Sequence, residues 1–467
     1  MKTILINKGA ILGLILLLFS CTPEDITYYD NNTIDIDSIT GISLIPNHFQ
    51  VIADGRAELE LKPIVYKTVD SIVAINDRIP NEWIEYYEKS GVETKRFFTT
   101  NNQDLVGEEL KVWARIKGTD IESDTVAFKV REPLAEDAYE EIVIPVVFHV
   151  LQTQADIEAK GMKLRSDRIE QAIKRLNNVF SGIASKNANG VDTKIRFEAA
   201  KYDPDGKLLI EPGINRLIDK HNIIGYGERS FEWFIRDLVD NVDEEKKDDY
   251  YFPENGNNIN WPVDKYFQIW LISSSEYEDF GDKVSEECYP MSKYTDADLS
   301  TLPQGLKLTQ NETNLYMGAK RKGLKIRLQD FVNTRPLSYN SKHNDWMYYV
   351  GIYFGLLPNH KKPYSAGWSW TGTNDYCDDT FLTYVSWYDS YYGRIPYKYN
   401  MNRNSTMYKQ INGFGYEFLA ENIMDAPQGL HQCITKDQAA RIRWIIKYSP
   451  ERQFWKSDFA FTGIEDL

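Results

Sequence analysis

The chain has 467 residues, of which 42% are hydrophobic and 26% are charged, so it is long enough for two or three domains with packed cores. This composition excludes an intrinsically disordered chain. The formal net charge of −15 argues against a nucleic-acid partner, because a phosphate backbone attracts basic surfaces. Aromatic residues make up 13% of the chain, which favours core packing over the alternative of a stacking surface for sugars or peptides.

The N-terminus has the pattern of an export signal. Lys2 and Lys8 precede an apolar run, residues 9–19. This run is shorter than the ~20 residues of a membrane-spanning helix. The run ends at Cys21 in a sequence that resembles a bacterial lipobox, and an ordinary secretory signal is the alternative. We therefore expect a signal peptide (1–20), a lipid on Cys21 that anchors the protein to a membrane, and a polar tether (21–37). The expected location is the bacterial cell envelope, at the outer membrane or the cell surface.

Residues 38–132 have the two-residue period of β-strands. Apolar and polar residues alternate in two clear runs, Ala57, Leu59 and Leu61, and Leu110, Val112, Ala114 and Ile116. We predict an all-β immunoglobulin-like sandwich here, with the role of a spacer; ligand binding by this domain is the alternative. The charged segment 131–137 contains a proline and lacks periodicity, so it is the predicted boundary before a second domain, 138–467.

The second domain opens with a nearly continuous apolar run, residues 142–151, which is typical of a strand buried on both faces. Ser166 is then expected to cap a helix whose inward face is apolar: Ile169, Ala172, Ile173, Leu176 and Val179. Near the end of the chain, Thr435 and Gln438 have the spacing of a capping box, which predicts the start of another helix.

A short helix that ends abruptly is predicted after residue 344. Asn344 or Asp345 can cap its start. Apolar side chains recur at helical spacing and predict a buried helix: Tyr349, Val350, Tyr353, Phe354 and Leu357. Gly355 permits a turn out of the helix, and Pro358 prevents its continuation.

This helix resembles the zinc-binding helix of the metzincin peptidases, in the form found in the pappalysin-type (cytophagalysin) branch among Bacteroidetes lipoproteins. The motif of that branch is H-E-x-G-H-x-x-G-L-x-H, and Gly351, Gly355 and Leu356 match its glycines and its leucine. Further stretches resemble that branch in the same order along the chain: 142–151, 166–180, 195–197, 374–380, 422–425 and 435–453. The resemblance spans residues 142–453 and implies an α+β metzincin-like (zincin) fold.

The positions that carry the chemistry of that family are changed. Tyr348, Ile352 and Pro358 stand where three zinc-binding histidines are expected, and Tyr349 stands at the general base. Zinc binds imidazole, thiolate or carboxylate groups, so these side chains supply no usual ligand. A neutral tyrosine is also a poor base at neutral pH.

The segment 422–425 resembles the Met-turn that lies beneath the metal in metzincins, with Met424 as its methionine. Ala426 replaces the tyrosine that follows this turn in most members of the family. The resemblance therefore implies a catalytically inactive pseudopeptidase that binds a polypeptide or a glycan and needs no cofactor.

Two metal-binding hypotheses remain open. An active zinc peptidase with relocated ligands would have to use His343, His360 and His431, which flank the helix and follow the Met-turn. The second hypothesis is calcium, since three carboxylates lie within five residues and calcium prefers several oxygen ligands. The candidate calcium ligands are Asp375, Asp378 and Asp379, and a polar loop with side-chain turns is the alternative.

With Cys21 lipidated, the chain has three other cysteines: Cys288, Cys377 and Cys433. An oxidising compartment allows one disulfide and leaves one free thiol. The spacing of the cysteines does not select the pair.

Overall fold

The computed structural model describes the following residues: 34–68, 72–74, 79–158, 164–219, 261–272, 299–306, 323–328, 331, 345–361, 375–380, 383–384, 408–411, 417–425 and 429–458. The predictions for Cys21, Cys288, His343 and Ala426 fall outside these residues. No helix in the described part is long and apolar enough to cross a membrane.

The chain forms two compact units that are not continuous in sequence. The first consists of Met1–Asn47, Glu60–Phe98 and Glu109–Phe128, and the second of His48–Leu59, Thr99–Glu108 and Lys129–Leu467. The predicted boundary at 131–137 therefore does not coincide with this division, and it stays a prediction for experiments on the protein.

The first unit contains β-strands and short 3-10 helices among its described residues. Strand β1 (Gly41–Pro46) pairs antiparallel with β3 (Leu59–Thr68), which also pairs with β4 (Ile72–Ala74) and β6 (Phe97–Phe98). Strand β5 (Ile84–Glu88) pairs antiparallel with β7 (Glu109–Ile116). The alternation predicted for residues 110–116 is confirmed, because every second side chain is buried there. An all-β architecture is thus present, and the immunoglobulin-like topology stays a prediction.

The second unit is built on a five-stranded sheet whose pairings are parallel. Its central strand is β9 (Ile142–Thr153), which is buried on both faces, as its apolar run predicts. The sheet contains four further strands: β10 (Ile195–Ala199), β11 (Ile214–Asp219), β12 (Phe267–Ile272) and β13 (Leu324–Arg327). A parallel sheet needs crossover connections, and the helix Ser166–Phe180 lies in the one between β9 and β10.

Four α-helices lie in the described part of this unit: α1 (Gln154–Glu158), α2 (Ser166–Phe180), α3 (Trp346–Tyr353) and α4 (Lys436–Tyr448). Helix α2 buries the apolar face expected of it, except that Ile173 is only half-buried. The expectation that Ser166 caps this helix is wrong, because the cap position is Arg165 and no side chain caps it. The capping box of α4 is confirmed, with Thr435 and Gln438 in the expected roles.

The second unit also has a smaller mixed sheet with the order β14 (His360–Lys361), β15 (Thr383–Tyr384), β16 (Tyr408–Ile411) and β17 (Glu417–Leu419). Two further strands, β2 (Gln50–Ile52) and β8 (Val126–Arg131), precede β9 in the chain. They pair in parallel, with Gln50–Ile52 against Lys129–Arg131.

Phenylalanines fix α3 against the main sheet. The ring of Phe354, at the end of α3, lies 5.4 Å from that of Phe267 in β12 and 5.6 Å from that of Phe180 in α2. Phe180 and Phe197 also pack edge to face with ring centres 4.8 Å apart. These rings are fully buried, and aromatic pairs of this kind add ~0.5–1.5 kcal/mol each beyond the burial of their area.

Candidate functional site

Helix α3 is buried along its whole length and forms the centre of the candidate site. Its N-terminal cap is Asp345, whose carboxylate accepts a hydrogen bond from the backbone N–H of Met347 at 3.1 Å. The helix is left at Gly355, which has a φ of 87° that residues with a Cβ rarely adopt. Nε of Arg452 donates to the carbonyl oxygen of Tyr353, the last residue of the helix, at 3.1 Å, and Nε of Arg441 on α4 donates to that of Gly355 at 2.6 Å. Charged side chains therefore bind at both ends of the helix.

The turn that carries Met424 packs directly against α3. A Cβ placed on Gly351 would lie 2.4 Å from Sδ of Met424, so only glycine permits this approach without a shift. Met424 is fully buried, and its backbone N–H donates to Oδ1 of Asn422 at 2.9 Å. Asp425 in turn accepts a hydrogen bond from the backbone N–H of Asn422 at 2.9 Å, which closes the turn from the other side.

The four positions expected to carry zinc chemistry lie on or just after this helix. Tyr348, Tyr349 and Ile352 are each only about 4–5% exposed, and Pro358 is half-buried. Tyr348 and Tyr349 pack edge to face with ring centres 5.5 Å apart. Tyr348 and Ile352 are one helical turn apart, so they lie on the same face.

Zinc does not fit the side chains that this helix offers. The residues from Trp346 to Tyr353 include no imidazole, thiolate or carboxylate, which are the groups that hold zinc in proteins. In the described part of the chain, no group of three or more His, Cys, Asp or Glu side chains is arranged to hold a metal ion.

Asp345, which is buried, is the centre of a partly buried charge cluster at the start of α3. Nη1 of Arg175, on helix α2, donates to Oδ1 of Asp345 at 2.9 Å, and Nη2 donates to the other oxygen. Nδ1 of His431 lies 3.1 Å from Oδ2 of the same carboxylate. Nε2 of His431 faces the carbonyl oxygen of Asp425 at 3.4 Å, so both nitrogens of this ring face protein oxygens.

The charge of this cluster is held by mutual pairing. Burial by itself would raise the pKa of Asp345, but Arg175 and His431 outweigh it and hold that pKa well below its usual range. His431 is fully buried and has a φ of 49°, which is uncommon for a residue other than glycine. The sequence singled out Asp345 and His431 separately, as a helix cap and as a candidate zinc ligand, and it gave no sign that they meet.

His149, in the central strand β9, is a structural residue. Nε2 of Gln268 donates to the carbonyl oxygen of Trp261 at 2.7 Å, so Oε1 of Gln268 is the atom that faces Nε2 of His149 at 3.1 Å. Nε2 of His149 therefore carries the proton, and Nδ1 accepts from Asn215 at 2.8 Å. Burial lowers the pKa of His149 to about 3, so the ring is neutral at physiological pH.

The other candidate zinc ligands are placed only in part. The backbone of His360 lies in β14 and pairs with Thr383, and its side chain lies outside the described part. In the described part of the chain, the ring of His431 lies in the Asp345 cluster, where Nδ1 faces the carboxylate of Asp345 and Nε2 faces the carbonyl oxygen of Asp425.

Two of the three candidate calcium ligands form hydrogen bonds within their own loop or with α4. Asp375 accepts from the backbone N–H of Cys377 at 3.3 Å and from the hydroxyl of Thr380, which is the geometry of a side-chain turn. Burial raises the pKa of Asp375 to about 6. Asp378 is exposed. Calcium binding by this loop stays a prediction.

Asp379 joins the acidic loop to the first turn of α4. Its Oδ1 accepts from the hydroxyl of Thr435 at 2.7 Å, and its Oδ2 accepts from the backbone N–H of Asp437 and from Nη1 of Arg131, each at 2.9 Å. Arg131 also donates to Oδ1 of Asp437 at 2.8 Å. Burial and the nearby carboxylate of Asp437 raise the pKa of Asp379, against the opposing effects of the hydrogen bonds from Thr435 and the Asp437 backbone and of the charge of Arg131.

The Met424 turn is tied to α4 by a pair of side-chain amides. Nδ2 of Asn422 donates to Oε1 of Gln438, and Nε2 of Gln438 donates back to Oδ1 of Asn422, both at 2.9 Å. Gln438 is also the second residue of the capping box and accepts from the backbone N–H of Thr435 at 3.1 Å. One glutamine therefore caps α4 and sets the position of the turn beneath α3.

Cys377 and Cys433 are both buried free thiols. Burial, together with the carboxylates of Asp375 and Asp379, raises the pKa of the Cys377 thiol, so the thiol is neutral and poorly reactive.

No protein-family model matches this chain, and no curated protein matches it. Among solved structures, a promirolysin mutant from Tannerella forsythia is 15% identical, with 68% of this chain and 84% of that chain covered and a TM-score of 0.34. Mature mirolysin of Tannerella forsythia, in complex with a cleaved peptide, is 15% identical with 68% and 97% covered and a TM-score of 0.35. Mirolysin in complex with compound 9 is 14% identical with the same coverage and a TM-score of 0.34.

Proposed function

We propose that residues 138–467 form a metallopeptidase-like domain of metzincin type that lacks catalytic zinc and acts by binding a polypeptide or a glycan. The observation that carries the proposal is one face of α3. Tyr348 and Ile352 occupy it one turn apart, where the resemblance expects two histidines, and both are buried. The contact between Gly351 and Met424 supports the register of the resemblance, because it brings the expected methionine against the expected helix.

Each zinc ligand that is missing lowers the affinity for zinc further. A site that lacks one of three ligands can hold zinc through the other two and water, but a site that lacks all three has nothing to compete with hydration of the ion. Tyr349 also removes the general base, since its phenol has a reference pKa of about 10. Gly355 and Met424 then serve folding: the glycine ends the helix and the methionine fills the space beside it.

The second candidate function is an active zinc peptidase with relocated ligands. It would have to gather His343, His360 and His431 around one ion at ~2.0–2.1 Å. The pairing of His431 with Asp345, 3.1 Å away, argues for a structural role of this ring. A histidine can bind zinc while its second nitrogen is held by a carboxylate, so metal analysis has to decide between the two functions.

We expect the purified protein to bind no stoichiometric zinc and to cleave no peptide. Elemental analysis after dialysis measures the first quantity, and digestion of a broad peptide library with and without a chelator measures the second. One zinc per chain together with chelator-sensitive cleavage would overturn the proposal. The variant His431→Gln then tests relocation, because loss of that zinc in a folded His431→Gln protein would identify His431 as a ligand.

A separate experiment tests whether the proposed ligand is a polypeptide or a glycan. The same protein should bind members of a peptide library or of a glycan array without changing them. Mass spectrometry of the recovered ligands distinguishes binding from cleavage. Failure to bind any member of either collection would leave the domain a spacer and would contradict a binding function.

We further propose that a lipid on Cys21 anchors the protein to the outer membrane or displays it at the cell surface. We expect Cys21→Ser to release the protein from the membrane fraction, because the lipid would be the main apolar group that holds it there. Fractionation after a high-salt wash measures this release, and Cys377→Ser is the matched control that should stay with the membrane. A Cys21→Ser protein that still sediments with membranes would contradict the lipid anchor.

A further inference from the structure

The segment His48–Leu59, here called the strap, belongs to the second compact unit although it lies about 80 residues before the predicted start of that domain at 138. Phe49, Asp54 and Arg56 of the strap are exposed. Five of its apolar side chains are buried like those of a core strand, each at most 2% exposed: Val51, Ile52, Ala53, Ala57 and Leu59. Burial of this extent is not expected of a linker or of an exposed loop.

Main-chain hydrogen bonds join the strap to the segment that follows α2. The backbone N–H of Ile52 donates to the carbonyl oxygen of Ala188 at 2.8 Å, and that of Glu58 donates to the carbonyl oxygen of Lys186 at 2.8 Å. Asn189 returns a hydrogen bond from Nδ2 to the carbonyl oxygen of Gln50 at 3.1 Å. The strap thus satisfies backbone groups of residues 186–189 that would otherwise have to find water.

A side chain of the strap also binds the segment that follows the C-terminal end of α2. Nη2 of Arg56 donates to the carbonyl oxygen of Gly182 and, at 2.9 Å, to that of Ser185. Both residues follow the helix, so the guanidinium fixes the chain just after α2, and its positive charge lies near the negative end of the helix dipole. The nearby ion pair between Glu58 and Lys186, at 2.6 Å, is exposed on the lysine side and adds little.

A hydrogen-bond chain that is buried at His48 and partly buried at Glu421 leads from the strap to the Met424 turn. Nδ2 of Asn187 donates both to Nε2 of His48 at 2.9 Å and to Oε1 of Glu421 at 3.0 Å. Ser185 donates from Oγ to the other carboxylate oxygen of Glu421 at 2.6 Å. The carbonyl oxygen of Glu421 accepts from the backbone N–H of Cys433 at 3.0 Å, and Asn422 follows directly in the chain.

We propose that the strap is a structural part of the peptidase-like unit, contributed by a distant stretch of the chain, and that it holds residues 182–190 and the turn that carries Met424. Residues 182–190 form a surface that binds an extended segment of the chain, and the strap is the segment bound there. This inference does not depend on whether the site binds a metal or a ligand, so it stands or falls separately from the proposed function.

Hydrogen exchange of the full chain tests the proposal with two matched variants. Ile52→Ala removes a buried side chain of the strap, and Leu44→Ala removes one of β1 in the first unit, where Leu44 is 5% exposed. We expect Ile52→Ala to speed exchange of the amides of α2 and α4 by about 30-fold or more, the factor that corresponds to ~2 kcal/mol. The amides of β1 and β4, which lie with β3 in a separate sheet, should keep their rates in that variant. Leu44→Ala should have the opposite pattern.

A milder variant guards against global unfolding. His48→Ala removes one hydrogen-bond partner of Asn187 and should speed exchange of the Ile423 and Asp425 amides by about fivefold, since one hydrogen bond contributes ~1 kcal/mol. The exchange rates of the Ile52→Ala and Leu44→Ala pair and those of His48→Ala must both agree with the proposal. The proposal fails if Ile52→Ala accelerates β1 and β4 instead of α2 and α4, or if Ile52→Ala and Leu44→Ala accelerate the same amides. It also fails if His48→Ala leaves the Met424 turn unchanged.

Discussion

Replacing Asp345 with alanine should cost the protein ~3 kcal/mol of unfolding free energy, a large share of the ~5–15 kcal/mol that a folded domain usually has. Three partners lose the same carboxylate: Arg175, His431 and the first turn of α3. Breaking a buried ion pair costs ~3–5 kcal/mol, because the remaining charge stays without a partner. We expect the low end of that range, since the side chain of Arg175 is 38% exposed and can recover part of its hydration.

The variant Asp345→Asn separates the helix cap from the charge. Asparagine is as good a cap as aspartate, so this variant should keep the hydrogen bond to the first turn and lose only the attraction to Arg175 and His431. Urea denaturation of both variants at neutral pH measures the two losses. If Asp345→Ala costs less than ~1 kcal/mol, the cluster contributes no more than an exposed ion pair does, and the charge argument is wrong.

The local elements of the second unit could be predicted from the sequence because their signals lie within a few residues. The apolar run of β9 predicted a doubly buried strand, and the spacing of Thr435 and Gln438 predicted the start of α4. The start of α3 at Asp345 was one of two caps that the sequence allowed, and the structure selects it. The expected cap at Ser166 failed because a serine at the first helical position does not have to be the capping residue.

The contacts that position the candidate site join residues far apart in sequence, so no local pattern marks them. Arg175 lies 170 residues before Asp345, and on its own it is one polar residue on an amphipathic helix. The end of the strap, residues 57–59, alternates like the strands of the first unit, and alternation does not say with which segment a strand pairs. The exception is Gly351, which the resemblance matched to a family glycine and which the structure explains by its contact with Met424.

Rebuilding the zinc site tests the register of α3. The variant with Tyr348→His, Tyr349→Glu, Ile352→His and Pro358→His restores the three ligands and the base that the resemblance expects. Positions 348 and 352 already lie on one face of a regular helix, so their imidazoles would start one turn apart. Position 358 follows the turn at Gly355, and removing its proline frees one backbone N–H.

The rebuilt variant should hold one zinc per chain, whereas the natural sequence should hold none. Zinc at about 100 times its dissociation constant should then raise the unfolding free energy of the folded variant by ~2.7 kcal/mol. The matched control omits Ile352→His, and with two imidazoles it should bind zinc far more weakly and show little of this stabilisation. Elemental analysis and thermal unfolding with and without zinc measure both quantities, after circular dichroism has shown that each variant folds. A folded variant with all four substitutions that binds no zinc would mean that positions 348, 352 and 358 do not converge. The tyrosines and the isoleucine would then be ordinary core residues with no relation to a lost metal site.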